Sequence, residues 1–143
     1  MRGLAGVLAC TAALAAGCGG PLERELVRLD AAERRWDGAN VTAYQYDLHY
    51  GCCRAAGFHL RVTVEGEAVR SVIDLDSGTA ADTAGSGPWL TIDRAFGAIR
   101  EWLALQPEDF TATYHPVLGY PLTVSAYPAA DGPSLTIANF ITP

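Results

Sequence analysis

The chain contains no lysine: all ten of its basic residues are arginine. That skew is the mark of codon usage in GC-rich DNA and implies no mechanism. Acidic residues outnumber basic ones 16 to 10, for a formal charge of −6, and this surplus argues against a nucleic-acid partner or direct attraction to anionic lipid. No apolar run reaches the roughly 20 residues a helix needs to cross a bilayer, since the longest spans only residues 3–17. None of Ser71, Ser77, Ser86, Ser125 and Ser134 sits in a Gly-x-Ser-x-Gly elbow, and there is no Cys-x-x-Cys pair. There is no internal repeat and, at 143 residues, no room for a second core. With no catalytic motif on the page, the sequence predicts a protein that is not an enzyme.

What is present begins at the N-terminus. Arg2 precedes an uncharged apolar stretch that ends in Leu14-Ala15-Ala16-Gly17-Cys18, and Pro21, Glu23 and Arg24 close it. A basic start, a short apolar segment and small residues before a cysteine make a bacterial lipoprotein signal, cleaved so that the Cys18 thiol carries the lipid. The expected organisation is a signal peptide at 1–17, a lipidated tether at 18–21 and one α+β domain at 22–143. Removing the first 17 of 143 residues leaves 126, and loss of Arg2 takes the charge from −6 to −7. Two or three acyl chains such as palmitate give stable membrane attachment, at roughly 0.8 kcal/mol per buried methylene. Gly19 is not the aspartate that signals inner-membrane retention, which leaves the outer membrane open in an organism that has one. With so short a tether, the domain is expected to lie against the bilayer.

Periodicity organises the rest. Leu22, Leu26, Leu29 and Trp36 predict an amphipathic helix over 22–36, with Gly38 as its C-terminal cap. From Val41 the period is two. Tyr44, Tyr46, Leu48 and Tyr50 alternate with polar residues, and Phe58, Leu60, Val62 and Val64 do the same. An antiparallel hairpin that pairs Tyr50 with Phe58 sets Leu48 on Leu60, Tyr46 on Val62 and Tyr44 on Val64. The same register places Asp47 opposite Arg61 as an ion pair, and His49 opposite His59. Glu65-Gly66 predicts a tight turn into a third strand over 67–76, with Val69, Ile73 and Leu75 facing inward. Residues 77–88 read as a loop. Thr91 caps a second helix striped by Ile92, Ala95, Phe96, Ile99, Trp102 and Leu103 and stopped by Pro107. Strand patterns return at 110–115, 122–127 and 135–141. The sum is α+β, an antiparallel sheet of about six strands in the order α-βββ-α-βββ with helices packed on one face.

Three sets of residues are candidates for function. Cys52 and Cys53 are adjacent in an exported, oxidising setting, where they form a vicinal disulfide or remain thiols. His49 and His59 face one another at the mouth of the same loop, so that two imidazoles and two thiols form a donor set for zinc or copper. Set against that are the adjacency of the cysteines and the ordinary fate of histidines on a solvated strand. Tyr114 to Pro121 forms a stiff aromatic turn in which Tyr120 is expected to pack under the sheet while the prolines shape the connection; the alternative is a recognition surface made by Tyr114, His115 and Tyr120. Asp74 and Asp76, two apart on the third strand, read as a solvated strand end, with paired acid and base groups or a calcium contact as the alternative.

These pieces together resemble a family of small bacterial lipoproteins of unknown function, the DUF6174 domain family. The resemblance rests on Trp36, the Tyr44/Tyr46 strand, the cysteine pair after it, Val62 to Gly66, the Ile92/Phe96/Ile99 helix and the turn from Tyr114 to Pro121. It covers residues from about Arg34 to the C-terminus. Cys52 and Cys53 touch where the family separates the two by one residue, and His115 stands where an acidic residue is frequent. The resemblance implies a lipoprotein and supplies no catalytic residue. The expected function is therefore a membrane-anchored, noncatalytic binding or envelope-structural module, exported and held through Cys18. Its partners are the membrane and an envelope protein or ligand, and no cofactor is expected. The alternative is a metal-handling or thiol-redox protein built on His49, His59, Cys52 and Cys53.

Overall fold

The computed structural model describes residues 19–52, 57–81, 91–127 and 132–143. The signal segment with Cys18, and Cys53 in the first hairpin loop, lie outside the described residues. Two helices and six strands follow in the order α1 (Pro21–Ala39), β1 (Ala43–Gly51), β2 (Phe58–Glu65), β3 (Ala68–Asp74), α2 (Ile92–Ala104), β4 (Phe110–Tyr114), β5 (Pro121–Ala126) and β6 (Ser134–Ile141). The strands form one antiparallel sheet ordered β3-β2-β1-β6-β5-β4. The α+β class and the helix-three-strand repeat order are as the sequence predicts.

Pro21 suits the first turn of α1, where its missing N–H costs no bond. The helix runs past Gly38, and Asn40, in the left-handed region at φ 50°, takes the cap instead. Leu29, Ala32 and Trp36 are its buried stripe. For α2, the Thr91 hydroxyl accepts from the Arg94 N–H at 3.2 Å, satisfying one of the free donors of the first turn. Ile92, Ala95, Phe96, Ile99 and Leu103 are buried, and Trp102 is half-buried.

Both helices cover the same sheet face, and Tyr44 ties them to it. Trp36 meets the Tyr44 ring edge-on at 5.3 Å, while the Tyr44 hydroxyl accepts from the Ile92 N–H at 3.0 Å. Tyr46, Leu48, Val62, Val64, Val72, Val124, Leu135 and Ile137 complete the core beneath them.

The predicted β1/β2 register is found at every pair, from Tyr44 on Val64 to Tyr50 on Phe58. Two details differ from expectation. The hairpin turn is Gly66-Glu67, shifted by one residue from Glu65-Gly66, with Gly66 at φ 63°. In β3 an extra residue, Arg70, sits between the Val69/Val64 and Ser71/Thr63 pairs, a bulge that inverts the alternation. Val72 is therefore buried and Ile73 stands opposite Arg61 on the other face, 37% exposed. Leu75 falls beyond the strand. Part of the expected 77–88 loop is also ordered, since Ala80 bridges Ile73 antiparallel.

Candidate functional site

The face of the sheet away from the helices carries the polar residues. Register sets Thr113, Thr123, Thr136, His49 and His59 in one row across five strands. At its end the two histidine rings lie 3.7 Å apart, tilted by 34°. The Nδ1 of His59 is 3.3 Å from a carboxylate oxygen of Asp76, which fixes the ring and leaves its other nitrogen unengaged by that contact. An open cavity of about 350 Å³ forms here, lined by His49, His59, Asp76, Phe58, Ser134 and Thr136 together with the glycines 51 and 57. Close backbone packing makes Gly57 necessary, because a Cβ there would meet the Tyr50 carbonyl oxygen at 2.6 Å. Cys52 follows the lining residue Gly51 in the chain and does not itself line the cavity.

Beside this cleft lies a charged cluster. The Arg61 guanidinium donates to both carboxylate oxygens of Asp47, at 2.7 and 2.9 Å, and the Asn139 amide donates to the second at 2.7 Å. The hydrogen bond from Arg61 is the main cause that holds the Asp47 carboxyl below its ordinary range, against the opposing effect of burial. Asn139 reaches it from a second bulge. Two β6 residues, Asn139 and Phe140, lie between Ala138 and Ile141 where β1 has one, Tyr46, and Asn139 takes φ 50°. That bulge also turns Phe140 inward to stack on Tyr44 at 5.5 Å and on Tyr120 at 4.3 Å.

Asp74 and Asp76, both expected at a solvated strand end, have different partners. Asp74 accepts from the backbone N–H groups of Asp76 and Ser77, each at 2.9 Å, which lowers its carboxyl and closes the turn after β3. Asp76 faces His59, as above. Neither Asp76 nor Ser134 and Thr136 was legible as a site residue. Their signal was the β6 and β3 registers, which the β1/β2 hairpin alone does not set.

The turn from Tyr114 to Pro121 is directed at α1. Its residue Tyr120 is buried at 7% exposure, with its ring 6.5 Å from that of Trp36 and 4.8 Å from that of His115. The Nδ1 of His115 accepts from the N–H groups of Leu118 at 3.0 Å and Val117 at 3.3 Å, so the ring closes its own turn. Tyr114 is half-buried against Phe96, and burial pushes its phenol up to about 12. Only Val117, at 73% exposure, projects from the tip as a large apolar side chain.

A model described as a family of unknown function, DUF6174, matches residues 28–140. The chain belongs to the DUF6174 family. The match spans both histidines, both loop cysteines and the turn from Tyr114 to Pro121, and begins ten residues after Cys18. No curated protein and no solved structure matches this DUF6174 chain. Among the described residues of the DUF6174 domain, no group of three or more His, Cys, Asp or Glu is placed to hold a metal ion. No helix among them is long and apolar enough to cross a membrane.

Proposed function

We propose that this DUF6174 chain is an exported lipoprotein, held in the bacterial cell envelope by acyl chains on Cys18, whose domain is a noncatalytic binding or envelope-structural module. The pattern from Arg2 to Cys18 supports the anchor. The observation that carries the binding role is the open cavity of about 350 Å³ where His49, His59, Asp76, Ser134 and Thr136 converge. A concave site with a few convergent polar groups is what a small ligand or a partner's side chain requires. Two measurements test this reading. Cys18→Ser should move the protein out of the membrane fraction, and unchanged fractionation would remove the anchor. A photoreactive residue at position 136 should capture one dominant neighbour in intact cells that a label at position 67 does not. Identical capture from both positions would remove the binding role.

A second reading, metal handling or thiol redox chemistry through His49, His59, Cys52 and Cys53, is favoured by one arrangement. The two imidazoles meet in the cleft, and Asp76 supports His59 in the way carboxylates commonly support metal-bound histidines. Zinc or copper suits such donors. Against it, Cys52 and Cys53 are adjacent in sequence, so their two sulfurs cannot readily face one metal, and a vicinal disulfide between them would withhold both. Metal analysis of protein purified without chelator separates the two readings. Stoichiometric zinc or copper that is lost in a His49→Ala, His59→Ala variant puts the second reading first. Metal-free protein with an intact Cys52–Cys53 bond in nonreducing mass spectrometry removes it.

A further inference from the structure

Gly19 directly follows Cys18, and the chain enters α1 two residues later at Pro21. This entry is pinned against the helix. The Arg24 guanidinium donates to the Gly19 carbonyl at 3.1 Å, and a side chain at position 19 would meet the Glu23 carboxylate. Leu22 lies four positions after Cys18, so anything Cys18 carries starts within about 14 Å of Leu22 by the extended reach of the chain.

That short reach ends at an apolar groove. Leu22 and Leu26 on α1 and Leu103 and Ala104 on α2 line an open cavity of about 370 Å³, with charges of both signs, Glu23 and Arg100, at its rim. Leu22 and Leu26 continue the stripe that α1 buries at Leu29, Ala32 and Trp36, yet Leu26 remains 38% exposed. Leu105, which caps α2 beside the groove, is 76% exposed. The apolar surface thus lies at the end of the helix layer where the chain leads back to Cys18.

We propose that this end of the helix layer is the face on which the domain rests against the bilayer, with Leu26 and Leu105 entering the boundary between headgroups and hydrocarbon. This rests on the reading of Cys18 as the acylated residue. The occupant is the membrane that holds the acyl chains. An open, shallow groove shields a chain from water less completely than a bilayer does, so the chains stay in the lipid and the leucines join them there. The mixed rim charges and the acidic body make the contact apolar rather than electrostatic. A weak contact suffices, because a tether this short holds the patch at high effective concentration beside the membrane.

The test uses the full lipoprotein, reconstituted in phosphatidylcholine vesicles, with amide hydrogen exchange compared against the soluble Cys18→Ser form. Amides at residues 22–24 and 104–106 should exchange at least about threefold more slowly on vesicles, with no change in the turn at residues 65–68. A Leu26→Glu, Leu105→Glu variant, altered only at positions that reach solvent, should keep its acyl chains and its fold and lose that protection. Acylated Cys18 with equal exchange in both forms overturns the docking face and leaves the lipoprotein reading standing. An unmodified Cys18 in the mass spectrum overturns both. Protection that survives the double substitution overturns the role of these leucines.

Discussion

Asp47 illustrates what a single residue contributes beyond its pattern. Its pairing with Arg61 follows from the hairpin register, and as an exposed cross-strand pair it would contribute a fraction of a kcal/mol. The carboxylate is in fact buried at 5% exposure and accepts a third bond from Asn139, so its removal leaves three donor groups on two residues without their acceptor. Asp47→Asn should cost about 1–3 kcal/mol in urea denaturation at neutral pH. Because the folded-state carboxyl is held below its ordinary value, the stability it adds is present above the unfolded pKa and is lost as pH falls through the folded one. The wild type should therefore lose stability more steeply than Asp47→Asn below about pH 4. Parallel acid limbs would show that the Arg61 contact carries no net energy. Two tyrosines make a matched comparison. The Tyr44 hydroxyl satisfies the Ile92 N–H, so Tyr44→Phe should cost about 1–2 kcal/mol by leaving that donor unpaired. The buried Tyr114 hydroxyl has no hydrogen-bond partner among the described residues, so Tyr114→Phe should be neutral or stabilising by about 1 kcal/mol. Thermal or chemical denaturation of the two variants reads this difference directly.

At the scale of the element, turns and bulges decide which side chains face where. The β1/β2 hairpin was legible down to each pair because four apolar residues on each strand permit one register. Ile73 faces away from the side its spacing predicts because Arg70 inserts an extra residue into β3, and nothing in the Val-Arg-Ser-Val-Ile pattern marks a bulge as distinct from plain alternation. Gly38 and Asn40 both fit a helix cap, and Asn40 takes it, with its N–H donating to the Asp37 carbonyl. The turn before β5 shows a tighter constraint. Gly119 has φ 86°, and a Cβ there would run into the Ala32 carbonyl oxygen and approach the Trp36 nitrogen at 3.0 Å. Gly119→Ala should cost about 3 kcal/mol or more, through both backbone strain and displacement of α1. A melting temperature equal to wild type would show that the turn can move away from the helix.

For the whole molecule the decisive pairing is β1 with β6, which joins the β1-β2-β3 meander to the β4-β5 hairpin across the middle of the sheet. Without β6 the two halves share no ladder. Truncation before Ser134 should abolish the cooperative thermal transition seen by circular dichroism, whereas removal of residues 142–143, which lie beyond β6, should leave it within a few degrees. A cooperative melt in the longer truncation would mean that the helices alone hold the halves together. Local spacing by itself determined the α+β class, the element order, the first hairpin's register and the meeting of His49 with His59, because each depends on residues near in sequence or on one apolar period. The tertiary structure alone decided that Asn139 completes the Asp47 cluster, that Asp76, Ser134 and Thr136 join the histidines in a cleft, and that Phe140 turns inward onto Tyr44 and Tyr120. Those outcomes depend on strand order and on two bulges, each the net result of packing among segments far apart in the chain. No local pattern encodes that balance.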